Sequence, residues 1–246
     1  MYYIGLRQSM INLKNQRLLV IAPHPDDEVI GCGGLIAKIK NAGGKVYVLY
    51  LTVGDTRDFT KKGLSTAKER VAEIQKVARF LKLDKYDIAL LGNNYHLRLD
   101  VLGQKALMDI IERTSKVSIE KIKPTIVAFT SPNSYNQDHA IAAKATHAAL
   151  RPAPAKAKHF VDTVLSYEES ADQWALEESP NVNFFVPLSK AEVDKKMKAL
   201  KLYKSQDRPA PNLRSLSVQK NLASLRGAQC GKSFAEAYIC LRTTSE

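Results

Sequence analysis

The chain has 246 residues, 45% hydrophobic and 25% charged, the balance of an ordinary globular protein long enough to bury a large core. Its formal charge of +12 suits an anionic small molecule, an anionic membrane surface or a solvated basic face; the lysines are scattered and accompany no nucleic-acid motif, so nucleic acid is not an expected partner. The most apolar run, Val46 to Val53, is too short to span a bilayer, no apolar leader precedes it, and three cysteines without framework spacing imply reduced thiols, so a cytoplasmic setting is expected.

Taken in order, the chain alternates strand and helix signals, which predicts a parallel sheet covered on both faces. Residues 18–22 read as a strand, followed by a helix over 29–41 that Gly43-Gly44 stops. A second strand over 45–52 leads through the polar loop 54–58 to a helix over about 65–83, where Val71, Ile74, Ala78 and Leu81 recur at helical spacing. A third strand over 88–91, a single helix over 102–121 and a fourth strand over 125–130 follow, then a helix from Asp138 to just before Pro152. Pro152-Ala153-Pro154-Ala155 is linker-like but too short to divide the chain, so one domain over 1–246 is expected. The last third carries strands over 163–168 and 183–187, a helix to about Tyr203 headed by the capping box Ser189 to Glu192, a helix over 215–225 and a strand over 235–241. The fold class is therefore α/β, Rossmann-like, with a C-terminal α/β extension.

The chemistry concentrates in Val20 to Gly34, VIAPHPDDEVIGCGG. A strand that ends in His24 and Asp27 at a spacing of three presents both side chains at the mouth of a strand-to-helix turn. Imidazole with carboxylate suits zinc or another first-row divalent metal, and Asp26 beside them suits a general base. Alone, His24 reads equally well as a loop residue and Asp27 as a helix-start carboxylate; with Asp26, Glu28 and the Gly-Cys-Gly-Gly run the pattern becomes specific. A catalytic zinc takes three protein ligands. His139 follows the fourth strand, and ligands of doubly wound sheets gather at the carboxyl ends of strands, so the two loops can meet. His96, His147 and His159 lack comparable context.

The run His24-Pro25-Asp26-Asp27-Glu28, with Gly31-Cys32-Gly33-Gly34 after it, resembles the signature of the PIG-L/LmbE-like zinc N-deacetylases, which remove acetyl groups from N-acetylglucosamine conjugates. The resemblance covers nearly the whole chain. It implies zinc, or ferrous iron on the same ligands, held by His24, Asp27 and the His139 of an Asp138-His139 pair. Asp26 would take the proton of the attacking water, and acetate and a free amino sugar would be the products. Glu28 and Asp138 become supporting residues, the glycines permit close backbone approach, and Cys32 is a small packed residue.

Two departures stand out. Several members carry His three positions before the last ligand; here it is Asn136, which can donate a hydrogen bond to an oxyanion but cannot deliver a proton. Asp26, Tyr135 or His96 would then supply the acid. The loop 92–99, where relatives often have Leu-Pro-Asp, reads Asn94-Tyr95-His96, so Tyr95 and His96 become rewritten sugar contacts. Arg70 and Glu73 match a family Arg-x-x-Glu pattern; Arg70 either binds substrate or joins an exposed helix salt bridge. The expected function is deacetylation of an anionic N-acetyl sugar conjugate. A hydrolase of another acyl or carbamoyl amide, and a sugar-binding module without catalysis, are the alternatives. A nucleotide-binding reading fails on the missing Gly-x-Gly-x-x-Gly spacing. The resemblance also admits a trimer or hexamer, and the charge admits peripheral membrane contact.

Overall fold

Val, Ile, Leu and Tyr dominate the central strands, as burial of a parallel sheet on both faces requires. The computed structural model describes residues 13–58, 62–154, 156–174 and 181–244. Residues 1–12 of the N-terminal stretch searched for a leader, and Ala155 of the linker-like stretch, lie outside them. The elements are β1 (Arg17–Ala22), α1 (Asp27–Asn41), β2 (Lys45–Val53), β3 (Thr56–Arg57), β4 (Leu64–Ser65), α2 (Ala67–Leu81) and β5 (Lys85–Leu91). Then come α3 (Leu99–Leu102), α4 (Gln104–Asp109), α5 (Ile119–Ile122), β6 (Ile126–Phe129), α6 (Gln137–Ala149) and β7 (Thr163–Tyr167). The last are β8 (Phe184–Pro187), α7 (Lys190–Leu200), α8 (Leu216–Gln229) and β9 (Ala235–Thr243).

Seven strands form one sheet in the order β5-β2-β1-β6-β7-β9-β8. The first five run parallel, and β9 pairs antiparallel with both β7 and β8. From β1 the chain moves outward through β2 to β5, then returns to β6 on the other side. The carboxyl ends of β1 and β6 therefore flank the point where strand order reverses, the usual place for a ligand. β1 alternates between two cores: Leu18, Val20 and Ala22 pack toward α1, α2 and α7, while Leu19 and Ile21 pack toward α6 and the segments before β6. Among the described residues no helix is long and apolar enough to cross a membrane.

Three expectations need correction. The single helix over 102–121 is broken. Gly103 sits at φ 84° between α3 and α4, the turn over Ile110–Thr114 widens to a π-helix, and the chain restarts at α5. The loop 54–58 contributes β3, which pairs with β4; two-residue polar strands carry no period to read. The last helix runs on to Gln229 through Gly227, where a Cβ would stand 2.5 Å from the Phe234 amide nitrogen.

Helix α1 is gripped at its middle. Added Cβ atoms at Gly31 and Gly34 would come within 2.3 Å of the Tyr167 ring and the Leu188 side chain. Into the space these glycines leave, β9 sends Glu236, whose oxygens accept from the Gly34 and Leu35 amides at 2.7 Å each. Lys196 of α7 donates to Glu236 at 2.8 Å and to the Ile30 carbonyl at 2.6 Å. Cys32 lies fully buried beside this pair, and burial pushes its thiol well above the ordinary range.

Candidate metal centre

Pro23 and Pro25 bracket His24 at the end of β1. Asp26 follows at φ 99°, ψ −28°, a left-handed conformation for a non-glycine residue that costs of order 1–3 kcal/mol. Its carbonyl opens α1 by accepting from Val29 and Ile30, and its own amide donates to Glu28 Oε2 at 3.1 Å. Asp27 Oδ2 turns back to accept from the His24 amide at 2.8 Å. From the end of β6, α6 brings His139 against the same oxygen.

Three donor atoms converge: His24 Nδ1 to Asp27 Oδ2 is 3.5 Å, His139 Nε2 to Asp27 Oδ2 is 3.3 Å, and His139 Nε2 to His24 Nδ1 is 3.3 Å. A tetrahedral ion with bonds of about 2.0–2.1 Å separates its ligand atoms by roughly 3.3 Å, so the triangle already has the edges of a zinc site. Both imidazoles are held by their other nitrogens: His24 Nε2 by Asp138 Oδ2 at 2.9 Å, and His139 Nδ1 by the Thr130 hydroxyl at 3.1 Å. Asp138 Oδ1 accepts from the Leu99 amide at 2.9 Å, which fixes the carboxylate that fixes His24. Such a partner orients a ligand and raises its basicity. Asp138→Asn should therefore weaken zinc binding roughly 10–100-fold in a chelator competition; an unchanged affinity would show that Asp138 does not hold the ligand.

Electrostatics agree with a divalent ion. Burial lowers His24, but hydrogen bonds to Asp138 and Asp27 outweigh it and the net shift is upward. Burial raises Asp27, yet the His139 and His24 contacts hold it well below the carboxylate range. Burial pushes Asp26 up to about 6 against the pull of Arg214, and Glu28 up to about 8. The Arg70 and Arg214 guanidiniums both act on Asp26 and Asp27, and Arg214 acts on Glu169 as well. The buried Oδ1 atoms of Asp26 and Asp27 have no hydrogen-bond partner.

The other expected residues distribute around this centre. Asn136 is the N-cap of α6; its Oδ1 accepts from the Asp138 amide at 3.0 Å, leaving Nδ2 as its donor. Tyr135 is exposed and lines, with Asn136, Trp174, Arg208 and Arg214, a cavity of about 470 Å³. Glu28 Oε1 accepts from the Tyr203 hydroxyl at 2.6 Å, so its two oxygens brace the strained Asp26 from below.

Arg70 forms no exposed salt bridge. It is 2% exposed and donates to the Thr56 hydroxyl at 2.6 Å, His96 Nε2 at 3.1 Å and the Pro25 carbonyl at 3.4 Å. Glu73 instead ties α2 to the Ser205 amide and hydroxyl, at 2.9 and 2.6 Å. With Nε2 accepting, His96 carries its proton on Nδ1, toward the Thr52 hydroxyl at 3.1 Å. Burial and the nearby His24 and Arg70 charges hold His96 down at about 3. It is a neutral wall of the site, its ring edge-on to His24 at 5.4 Å, and this geometry gives it no proton to deliver near pH 7. Tyr95 is half-buried against the second core. His147 is exposed on α6.

Two residues went unread in the sequence. Arg214 reaches Asp26 Oδ2 at 3.5 Å, Asp27 Oδ1 at 3.6 Å and Glu169 Oε2 at 3.2 Å. Glu169 Oε1 stands 3.7 Å from His139 Nδ1. Glu169 follows the strand signal at 163–168, a position that could have flagged it; Arg214 lies in an aperiodic loop that offers no signal.

Residues 19–150 match the family model described as PIG-L, GlcNAc-PI de-N-acetylase. The chain belongs to the PIG-L family. A 72-residue stretch is 39% identical to diacetylchitobiose deacetylase of Thermococcus kodakarensis, covering 28% of this chain and 27% of that protein; the match thus spans about a quarter of the curated relative. The fold is similar to that of conserved protein TT1542 from Thermus thermophilus, with a TM-score of 0.70 and 26% identity over 94% of this chain and 97% of that one. It is also similar to GalB, the 4-carboxy-2-hydroxymuconate hydratase of Pseudomonas putida, with a TM-score of 0.68 and 20% identity over 94% and 99%. A fold shared with a hydratase leaves the choice of chemistry to the site.

Proposed function

We propose that the chain is a zinc-dependent hydrolase, a single domain over 1–246, that removes the acetyl group from an N-acetylglucosamine-type conjugate. The observation that carries this reading is the donor triangle of His24, Asp27 and His139 with the partnerless Asp26 Oδ1 beside it. Membership of the PIG-L family and the partial match to a diacetylchitobiose deacetylase support the substrate class. Zinc, or ferrous iron on the same donors, would supply Lewis acidity toward the acetamide carbonyl and acidify a water.

The chain's own residues divide the remaining work. Asp26 Oδ1 takes a proton from the water that attacks the carbonyl carbon. Asn136 Nδ2 donates to the oxygen on which negative charge develops. As the C–N bond breaks, the electron pair leaves with nitrogen, and Asp26 returns its proton there, which needs no imidazole at position 136. The exposed rings of Trp174 and Tyr135 offer flat faces to a sugar, and the basic charge with Arg208 and Arg214 at the cavity favours an anionic aglycone.

Acetate release from a panel of N-acetylglucosamine conjugates by zinc-loaded protein tests the reading. Release from one conjugate, reduced about 10²–10⁴-fold in Asp26→Ala, is the expected result. Turnover unchanged in Asp26→Ala would overturn the mechanism, and no acetate at one zinc per chain would redirect the site to another acyl amide.

A further inference from the structure

We infer that Arg214 is a positioning residue, which holds Asp26 so that its Oδ1 faces the attacking water. The inference rests on the hydrolase reading above. Asp26 has a strained backbone at φ 99° and a buried Oδ1 with no hydrogen-bond partner. A short carboxylate in that state needs something to fix its rotation about Cβ. Arg214 meets its other oxygen, Oδ2, at 3.5 Å.

Arg214 is itself firmly placed. The Leu213 carbonyl just before it accepts from the Ser170 hydroxyl at 2.7 Å and from Gln219 Nε2 at 2.9 Å. Ser170 and Gln219 are both buried, and the Arg214 amide donates to Asn212 Oδ1 at 2.9 Å. Glu169 Oε2, from the loop after β7, takes the guanidinium at 3.2 Å. One planar fork thus spans the carboxylate of the β1 end and the carboxylate of the β7 end, a geometry an ammonium cannot reproduce. The Arg214 side chain remains 21% exposed, toward the cavity shared with Tyr135, Asn136 and Trp174. It therefore stands where the base meets the substrate's entry, and it also reaches Asp27 Oδ1 of the donor triangle at 3.6 Å.

The test combines a structural and a kinetic readout. In a crystal structure of Arg214→Gln, the Asp26 carboxylate should leave the orientation in which Oδ2 meets the guanidinium in the wild type; an unmoved carboxylate overturns the inference. Zinc stoichiometry should stay at one per chain in Arg214→Gln, with kcat down about 100-fold and KM within about threefold of wild type. Arg214→Lys, which keeps the charge but not the fork, should fall between. In an Asp26→Asn background, Arg214→Gln should lower the residual rate no further, because both changes remove one function. Additive losses, or a loss that follows missing zinc, would show instead that Arg214 only balances charge or shape. If wild-type protein releases no acetate from any conjugate, the deacetylase reading fails, while the place of Asp26 in the variant structure still decides the role of Arg214.

Discussion

His139→Ala should yield a folded protein that holds less than about one zinc per ten chains after dialysis and releases no measurable acetate. The side chain supplies one corner of a triangle with edges of 3.3, 3.3 and 3.5 Å, and no nearby donor replaces it. Thr130 is a neutral hydroxyl, and Glu169 Oε1 lies on the far side of the ring, 3.7 Å from Nδ1. Loss of an outer partner alone costs roughly 10–100-fold in affinity, so loss of a corner must cost more. The fold should survive, because His139 sits in the first turn of α6 and not within either apolar cluster. Atomic absorption and circular dichroism on the same sample separate the two effects. Retention of a full zinc would remove His139 from the ligand set.

Glu236→Leu should lower stability by about 3–5 kcal/mol, the cost of leaving one member of a buried ion pair alone. In a chain of this size that is a fall in Tm of roughly 10 °C. The carboxylate serves four donors: the Gly34 and Leu35 amides, Lys196 Nζ and the Tyr238 hydroxyl, at 2.7, 2.7, 2.8 and 2.9 Å. Lys196 and Glu236 are 4% and 5% exposed, so water cannot readily take over. A leucine fills the volume but leaves an ammonium facing the Ile30 carbonyl without its counter-ion. Thermal unfolding followed by circular dichroism measures the effect, and a fall below about 2 °C would show that the pair is not a stabilising clamp.

Much of this architecture could be read directly because its signals are contiguous. The β1–α1 turn keeps His24, Asp26 and Asp27 within four residues, and the periodicity of strand and helix fixes where His139 must emerge. What escaped depends on distance or on single residues. Arg214 meets Asp26 only because β7, the loop before α8 and the β1 turn converge in space, and no local pattern encodes that meeting. The break at Gly103 turns on one glycine, which a helical pattern can equally tolerate. Arg70 is different, since positions 70, 74, 77 and 81 lie on one helical stripe with the buried Ile74, Val77 and Leu81. That stripe already placed Arg70 inward, and the attraction of an Arg-x-x-Glu pair to solvent obscured it.

The placement of β9 between β7 and β8 bears on how the protein is made. Both neighbours are synthesised before the strand that joins them, so each presents an unpaired edge, open to wrong partners, until β9 arrives. Glu236 travels on that same strand. The grip on α1 therefore closes late, and the turn that carries His24 and Asp27 gains its final rigidity only when a segment some two hundred residues downstream has threaded into the sheet.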